Sequence, residues 1–366
     1  MHGSSGKIVH AHVAGNSSTA SDAVPLTLES TFVLGSCTKI ITAIAALQCV
    51  ERGLITLDEP VYGVLPELEK LRILPTSDAA LTQANLVPNK TKITLRHLLT
   101  HTSGIGYDIM HPKLMSWRKS QGEECSTLSG NLITAYSNPL VHEPGTSWTY
   151  GGNYDWAGLL VDRLTGKRLG QYFEENIFKP LGIKTCTFHL EEKPETRSKL
   201  AGMSHRGEGG ALSPGGAGLA DPAADDLGGV GLYSSVPDYL KVLADLIRDE
   251  PMTLKPETRD LLFTPQLDED SPPHSDMQTM APGFWGFFME DTDIRVNHGL
   301  GSMLYTEAGK KSGTPRNTIS WSGYSGPIWA ANRDKGLAWI WATQVLPFGD
   351  AECGKRAQDF GRLVFE

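Results

Sequence analysis

The rhythm of hydrophobic and polar positions changes along the chain, from short alternating pieces to helical spacing and then to a closing set of apolar strands. Lys7–Val13 (KIVHAHV) alternates and is rich in β-branched residues, which predicts a strand. Thr31–Leu34 predicts a second short extended piece. It leads into Ile40–Val50 (IITAIAALQCV), an almost wholly apolar run that predicts a buried helix beginning at Ser36 and stopping at Gly53. A turn follows at Leu57-Asp58-Glu59-Pro60.

From about residue 64 to 200, helical segments alternate with Pro/Gly loops. Ile93–Gly106 (ITLRHLLTHTSGIG) predicts a short helix stopped by Ser103-Gly104. GNYDWAGLLVDRLTGK predicts a longer one, starting near Asn153 or Asp155 and ending at Gly166. Residues 205–229 are rich in Gly, Ala and Pro without periodicity, which predicts a long loop of the kind used as a lid or substrate-facing segment. Leu232–Arg248 predicts an amphipathic helix, and 265–283 a further Pro-rich loop. The C-terminal part then reads as strands in GFWGFFM, HGLGSMLY, NTISWSG, IWAAN and LAWIWATQV, closed by a helix in CGKRAQDFGRLVFE. This layout is a mixed sheet built from both chain ends and interrupted by a helical insert. The expected division is 1–65 with 230–366 as a discontinuous sheet domain, 66–229 as a mainly helical domain, and an active-site cleft between them.

Composition narrows the partners more than the fold. The 366 residues are 40% apolar and 20% charged, an ordinary balance for a globular chain with a sizeable core. A formal charge of −9 argues against nucleic acid or an anionic membrane as the main partner. No segment is long enough to span a bilayer, and MHGSSGKIVHAHVAG has no apolar core of a signal peptide. The five cysteines are scattered and never form a CxxC pair, which argues for reduced thiols in a cytosolic protein. His97 and His101 stand four apart, but without a Glu between them or a third ligand they do not make a zinc site. GGAGLA near 215 does not follow a strand, so no dinucleotide fold is implied, and no phosphate-binding loop is present. Neither cofactor nor metal is expected.

The candidate chemistry begins at the head of the apolar helix, where Ser36-Cys37-Thr38-Lys39 places a hydroxyl and an amine one turn apart. At a helix N-terminus the serine N–H is free to point at a developing oxyanion. An amine pressed against an apolar surface loses water, which favours its neutral, basic form. SxxK is a known arrangement of an activated serine. Three SxxK matches occur, at Ser4–Lys7, Ser36–Lys39 and Ser116–Lys119. Only the second lies between an extended piece and a buried helix; Ser36 can equally be a helix cap, and both roles are compatible. Tyr150, in WTYGGNYDWAG, follows a Pro-Gly turn and is either a proton-shuttling phenol or a core tyrosine beside a turn. Around Gly323 and Gly326, ISWSGYSGPIW fits an edge strand offering a further oxyanion N–H, most naturally from Tyr324, or a plain strand–turn junction.

Taken in this order, the three pieces resemble the serine hydrolases of the class C β-lactamase and penicillin-binding type. The closer resemblance is to the esterase and acyltransferase branch, the lovastatin-type acyltransferases of polyketide biosynthesis. It extends through LQCVERGLITLDEPV, KITLRHLLTHTSGIGYDIMHPKL, WTYGGNYDWAGLLVDRLTGKRLGQYFEENIFKPLGI and GGVGLYSSVPDYLKVL, most of the chain from about residue 30 onward. It implies an α/β (α+β) fold of the β-lactamase/transpeptidase type, an antiparallel sheet flanked by helices plus a helical domain. It implies Ser36 as nucleophile, Lys39 as its base and Tyr150 as proton carrier for leaving group and incoming nucleophile. The N–H groups of Ser36 and of the 323–324 region would form the oxyanion hole, with Asn153, Trp321 and Ser322 against the substrate. Its expected partners are a small-molecule acyl donor, an alcohol acceptor and an acyl-carrier domain.

The departures from the family pattern point within it. The Tyr-x-Asn segment is Tyr150-Gly151-Gly152-Asn153, the arrangement of the acyltransferase branch. The Lys/His-Thr-Gly strand is Trp321-Ser322-Gly323, with no cation for a β-lactam carboxylate. Trp148, Trp285, Trp321 and Tyr324 favour a large, apolar acceptor. Relatives are expected to carry a helix and strand before the point where this chain starts. The leading expectation is acyl transfer to a small-molecule alcohol, with ester hydrolysis by the same residues as the alternative. A ligand-binding or non-hydrolytic role is a third reading, opposed by the intact Ser36, Lys39 and Tyr150.

Overall fold

The computed structural model describes residues 2–3, 6–75, 81–285 and 294–366, with 2–3 and 282–285 as backbone only. Its central layer is a six-stranded antiparallel sheet in the order His2–Gly3, Leu337–Trp341, Ile328–Asn332, Thr318–Ser322, Met303–Tyr305, Val296–His298. Ile328–Asn332 and Thr318–Ser322 are buried at every position, so both faces of the sheet centre are covered. Continuous burial is why Ile328–Asn332 (IWAAN) reads as a nearly apolar run, whereas Thr318–Ser322 (TISWS) alternates and buries small hydroxyls, with Thr318 and Ser320 donating to Pro315 O and Trp329 O. The Val236–Leu246 helix packs on Ile328–Asn332 and Leu337–Trp341, and the Ala351–Phe365 helix packs on Leu337–Trp341.

The Thr38–Glu51 helix lies at the middle of the molecule. It packs against the Asn153–Thr165 helix, and the short 3-10 turn Gly35–Cys37 at its head packs on Thr318–Ser322. Ile40, Ile41, Ala43, Ile44, Ala45, Ala46, Leu47 and Cys49 are all buried, which accounts for a helix that is apolar all round. It ends where Gly53 takes a left-handed φ of 67°. There Gly53 N–H donates to Val50 O and Leu54 N–H to Cys49 O, the paired bonds of a Schellman stop. The Asn153–Thr165 helix ends as its sequence predicts, at left-handed Gly166.

Several expectations need correction. Lys7–Val13 is exposed throughout and forms no strand; its alternation presents no face to a core, and the sheet edge is taken by His2–Gly3. The helix in 93–106 covers only Leu95–Leu99, opened by a Thr94 capping box with His97, and the chain turns at left-handed His101 before reaching Ser103-Gly104. Residues 205–229 are not all loop. Met203–Arg206 pairs with Leu212–Gly215 across a turn containing Gly209-Gly210, and Val345–Leu346 joins this small sheet in parallel. The Pro-rich stretch after 265 contains the Pro272–Trp285 helix. Pro272 and Pro273 occupy its first helical positions, where no N–H is needed, and Ser271 Oγ accepts from His274 N–H. That helix also takes in 283–285, which the sequence predicts as strand; residues 286–289 of GFWGFFM lie outside the described residues.

Among the described residues no helix is long and apolar enough to cross a membrane. Since Ile44 is wholly buried in the central helix, Ile44→Ala is expected to cost about 2–5 kcal/mol of stability. Urea denaturation would measure this as a lower midpoint at unchanged slope.

Candidate active site

The Gly35–Cys37 turn and the first turn of the Thr38–Glu51 helix bring Ser36 and Lys39 onto one face. Gly35 adopts φ +54°, and a Cβ there would stand 2.8 Å from the Tyr324 ring and 3.2 Å from the Tyr324 main-chain nitrogen. Only glycine lets this turn close against the end of the Thr318–Ser322 strand. Lys39 Nζ donates to Ser36 Oγ at 3.0 Å, to Tyr107 Oη at 3.2 Å and to Gly229 O at 2.8 Å. Those three acceptors match the three N–H bonds of an ammonium. Tyr150 Oη donates to Ser36 Oγ at 2.6 Å. Ser36 Oγ therefore sits between an amine and a phenol. It makes no capping bond at its helix, so the capping role expected of Ser36 is not realised: its oxygen is occupied within the site.

The surroundings of Lys39 are aromatic. Its Nζ stands 4.8 Å from the Tyr150 ring centre, 5.6 Å from that of Tyr107 and 5.9 Å from that of Tyr154. Rings at these distances stabilise a cation without accepting its proton. Tyr150 is itself wedged among other rings. Trp148 stacks on it at 6.2 Å, Trp321 lies at 5.7 Å and His101 at 4.9 Å. Trp148 and Trp321 are buried, so both serve first to position Tyr150.

The ionisable groups near the pair are held in definite states. Burial pushes the His298 imidazole down to about 4. Burial also holds His101 well below its ordinary value, with the charges of His298 and Lys39 adding to the effect. Burial holds the Tyr107, Tyr136 and Tyr154 phenols above their usual range, with the Asp155 charge also acting on Tyr107 and Tyr136. Around neutral pH these imidazoles and phenols are therefore uncharged.

The remaining expected residues are placed as follows. Gly323 N–H donates to Pro327 O at 2.7 Å, so this N–H is already engaged and does not serve as an oxyanion donor. The Tyr324 N–H has no acceptor among the described residues, and it adjoins Gly35 and hence the Ser36 turn. Tyr324 Oη reaches across to Ala217 O at 2.6 Å. Trp321 and Ser322 are buried in their strand, opposite Trp329 and Ile328. Asn153 is wholly buried. Its amide donates to Ile105 O at 3.0 Å, contacts His101 Nδ1 at 3.0 Å and accepts from Ser103 Oγ. With its amide committed in this way, Asn153 holds the 101–105 loop rather than a substrate. The Trp285 side chain lies outside the described residues.

Sequence reasoning missed Tyr107, His101, His298, Gly229 and Asp155. Tyr107 and Asp155 stand inside stretches quoted for the family resemblance, yet an aspartate in a first helical turn reads as an ordinary N-terminal charge. Gly229 acts through its carbonyl, which leaves no mark in a sequence.

A serine between a buried lysine and a tyrosine, at the head of a central helix beside an antiparallel sheet, is an arrangement suited to serine-based acyl transfer. Residues 4–361 match the family described as Beta-lactamase, and the chain belongs to that family. Acyltransferase calJ from Penicillium decumbens is 39% identical over 94% of this chain and 83% of its own length. Monacolin J acid methylbutanoyltransferase from Aspergillus terreus is 33% identical over 93% and 83%, and the Lovastatin esterase of Penicillium rubens 33% over 88% and 82%. A mutant Simvastatin Synthase from Aspergillus terreus superposes with a TM-score of 0.89 at 33% identity, covering all of this chain and 88% of that one. The fold is thus of the β-lactamase/transpeptidase type, and its relatives are acyltransferases and esterases.

The buried imidazoles make a pH test. His298 is neutral in the fold down to about 4, whereas the unfolded chain takes up that proton near the ordinary 6.5. Between these values the unfolded state binds more protons, so this group's contribution to stability falls as pH falls through that window. His298→Asn should flatten the dependence of Tm on pH between about 6.5 and 4; thermal unfolding of both proteins across that range measures it.

Proposed function

We propose that this chain is a serine acyltransferase that moves an acyl group from a thioester or ester donor to an alcohol on a small, polyketide-like acceptor. The observation that carries the reading is the placement of Ser36 Oγ, 3.0 Å from Lys39 Nζ and 2.6 Å from Tyr150 Oη. In the first half-reaction Lys39 acts in its neutral form, its ammonium having first released a proton to solvent, and takes the Ser36 proton while Oγ bonds to the donor carbonyl carbon. The carbonyl oxygen becomes an oxyanion facing the N–H groups of Ser36 and Tyr324. Collapse of this intermediate breaks the carbonyl bond to the donor's sulfur or oxygen, and Tyr150 passes a proton to the departing atom. The proton held by Lys39 then passes directly to the Tyr150 oxygen, since Nζ and Oη both face Ser36 Oγ. The acceptor hydroxyl then attacks the seryl ester as its proton moves back through the same pair, and Ser36 is regenerated.

The acceptor class rests on the names of relatives that act on lovastatin-related molecules, and on the aromatic residues around Tyr150. An acyl-carrier domain is proposed as the donor's bearer, since a thioester is the activated form that this chemistry discharges most readily. The proposed division is a sheet domain of 1–65 and 230–366 and a helical domain of 66–229. It is supported by the origins of the site, with Ser36 and Tyr324 coming from the first and Tyr107, Tyr150 and Gly229 from the second. A cytoplasmic location is proposed on the five unbridged cysteines.

Ester hydrolysis is the second reading, favoured by the Lovastatin esterase relative. It uses the same residues with water as acceptor, and the two readings part on which nucleophile reaches the seryl ester. Incubation with a short acyl thioester and a lovastatin-type alcohol should yield the ester by chromatography–mass spectrometry. Ser36→Ala should lower that rate at least about a thousandfold while leaving the circular dichroism unchanged, and Lys39→Ala nearly as much. Substantial turnover by Ser36→Ala would sink the acyl-enzyme, and normal turnover by Lys39→Ala would remove it as the base.

A further inference from the structure

The Gly229 carbonyl that holds Lys39 at 2.8 Å belongs to a residue that is itself held from behind. Asp155 Oδ1 accepts from Gly229 N–H at 2.9 Å. Asp155 comes from the first turn of the Asn153–Thr165 helix and has no solvent exposure. Its second oxygen, Oδ2, has no hydrogen-bond partner among the described residues. There is also no room between them, because a Cβ on Gly229 would stand 2.4 Å from that oxygen. A buried carboxylate with one idle oxygen is costly unless a nearby cation offsets it. Lys39, from the facing helix, is the cation whose charge acts on it. The other titratable groups around the two are Tyr107, Tyr136, Tyr150, Tyr154 and His101. The buried charges of this shell are therefore one lysine and one aspartate.

We propose that Asp155 is a positioning residue for the reaction at Ser36: it fixes the Gly229 carbonyl that orients Lys39, and its negative charge stabilises the lysine ammonium formed when Lys39 takes the Ser36 proton. This rests on the acyl-enzyme reading above. One proton moves, from Ser36 Oγ to Lys39 Nζ, and Asp155 takes none; it acts as the orienting carboxylate does behind the base of a catalytic triad. Burial raises its carboxyl to about 6, against the pull of Lys39 in the other direction. Asp155 is thus ionised at neutral pH and loses its charge as pH falls through about 6, and the support for Lys39 goes with it.

The test is the pH dependence of kcat and KM for a short-chain p-nitrophenyl ester with full-length wild type, Asp155→Asn and Asp155→Glu. Wild type should show an acid limb with a midpoint near 6. Asp155→Asn should lose about a hundredfold in kcat at neutral pH with little change in KM, and should lack that limb. Asp155→Glu should regain much of the rate, with a limb at a displaced midpoint. An Asn variant with wild-type kcat and an intact limb would overturn the proposal, because a purely structural role lowers stability without moving a pH profile. If the Asn variant does not fold, Asp155→Glu carries the test, and a limb unmoved from that of wild type overturns it. A wild type without any turnover would overturn the acyl-enzyme reading, and this inference with it. An active wild type whose variants keep its pH profile would overturn this inference alone.

Discussion

An amine buried in the middle of a protein has to be kept fully bonded, and the architecture around Lys39 follows from that requirement. Only 1% of Lys39 is exposed, and an isolated buried charge costs several kcal/mol even after the surroundings relax. Three acceptors from three parts of the chain meet its ammonium: Ser36 within the same turn, Tyr107 after the Leu95–Leu99 helix, and Gly229 before the Tyr233–Ser235 strand. Three tyrosine rings complete the shell. These elements converge on Lys39 because an unsatisfied buried charge would destabilise the fold. The same convergence places an amine beside a serine hydroxyl. Stability and chemistry here draw on one set of contacts.

The segment that delivers Gly229 shows how the two halves of the site are joined. Thr42 Oγ1 donates to Gly228 O at 2.7 Å, so the chain is pinned to the central helix at successive carbonyls. Earlier in the same segment, Ala217 O accepts from Tyr324 Oη, on the residue whose N–H adjoins the Ser36 turn. The stretch from 217 to 229 therefore runs from the Tyr324 side of the site to the Lys39 side. Its composition reads as an unstructured loop, but its carbonyls at 217, 228 and 229 are held by Tyr324, Thr42 and Lys39.

What was legible in the sequence follows the same physics. The apolar helix behind Ser36 and Lys39 could be read because burial on all sides forces an apolar composition, and the SxxK spacing is set by helical geometry. Strands buried on both faces, such as Ile328–Asn332, were legible for the same reason. The Pro272–Trp285 helix was not, because Pro272 and Pro273 can end a loop or open a helix alike and Pro282 argues against one. Lys7–Val13 had the alternation of a strand without a core to face. Within the site, Ser36, Lys39 and Tyr150 stood out as side chains in motifs. Asp155, His101 and His298 did not, because their roles depend on what surrounds them: each is an ordinary residue until burial removes its water. The Gly323 N–H, which the resemblance includes in the oxyanion region, is taken by Pro327 O, a bond that no sequence pattern marks.

Transfer and hydrolysis share every residue up to the seryl ester, so the central claim is that this ester forms on Ser36 and waits for an alcohol. Intact-protein mass spectrometry after mixing with a short acyl thioester tests it most directly, with and without an alcohol acceptor. The account predicts a single acyl adduct on wild type, absent from Ser36→Ala, that alcohol discharges faster than water. Discharge at the same rate by water alone would make the protein an esterase. A folded protein with no adduct and no turnover would contradict the acyl-enzyme itself.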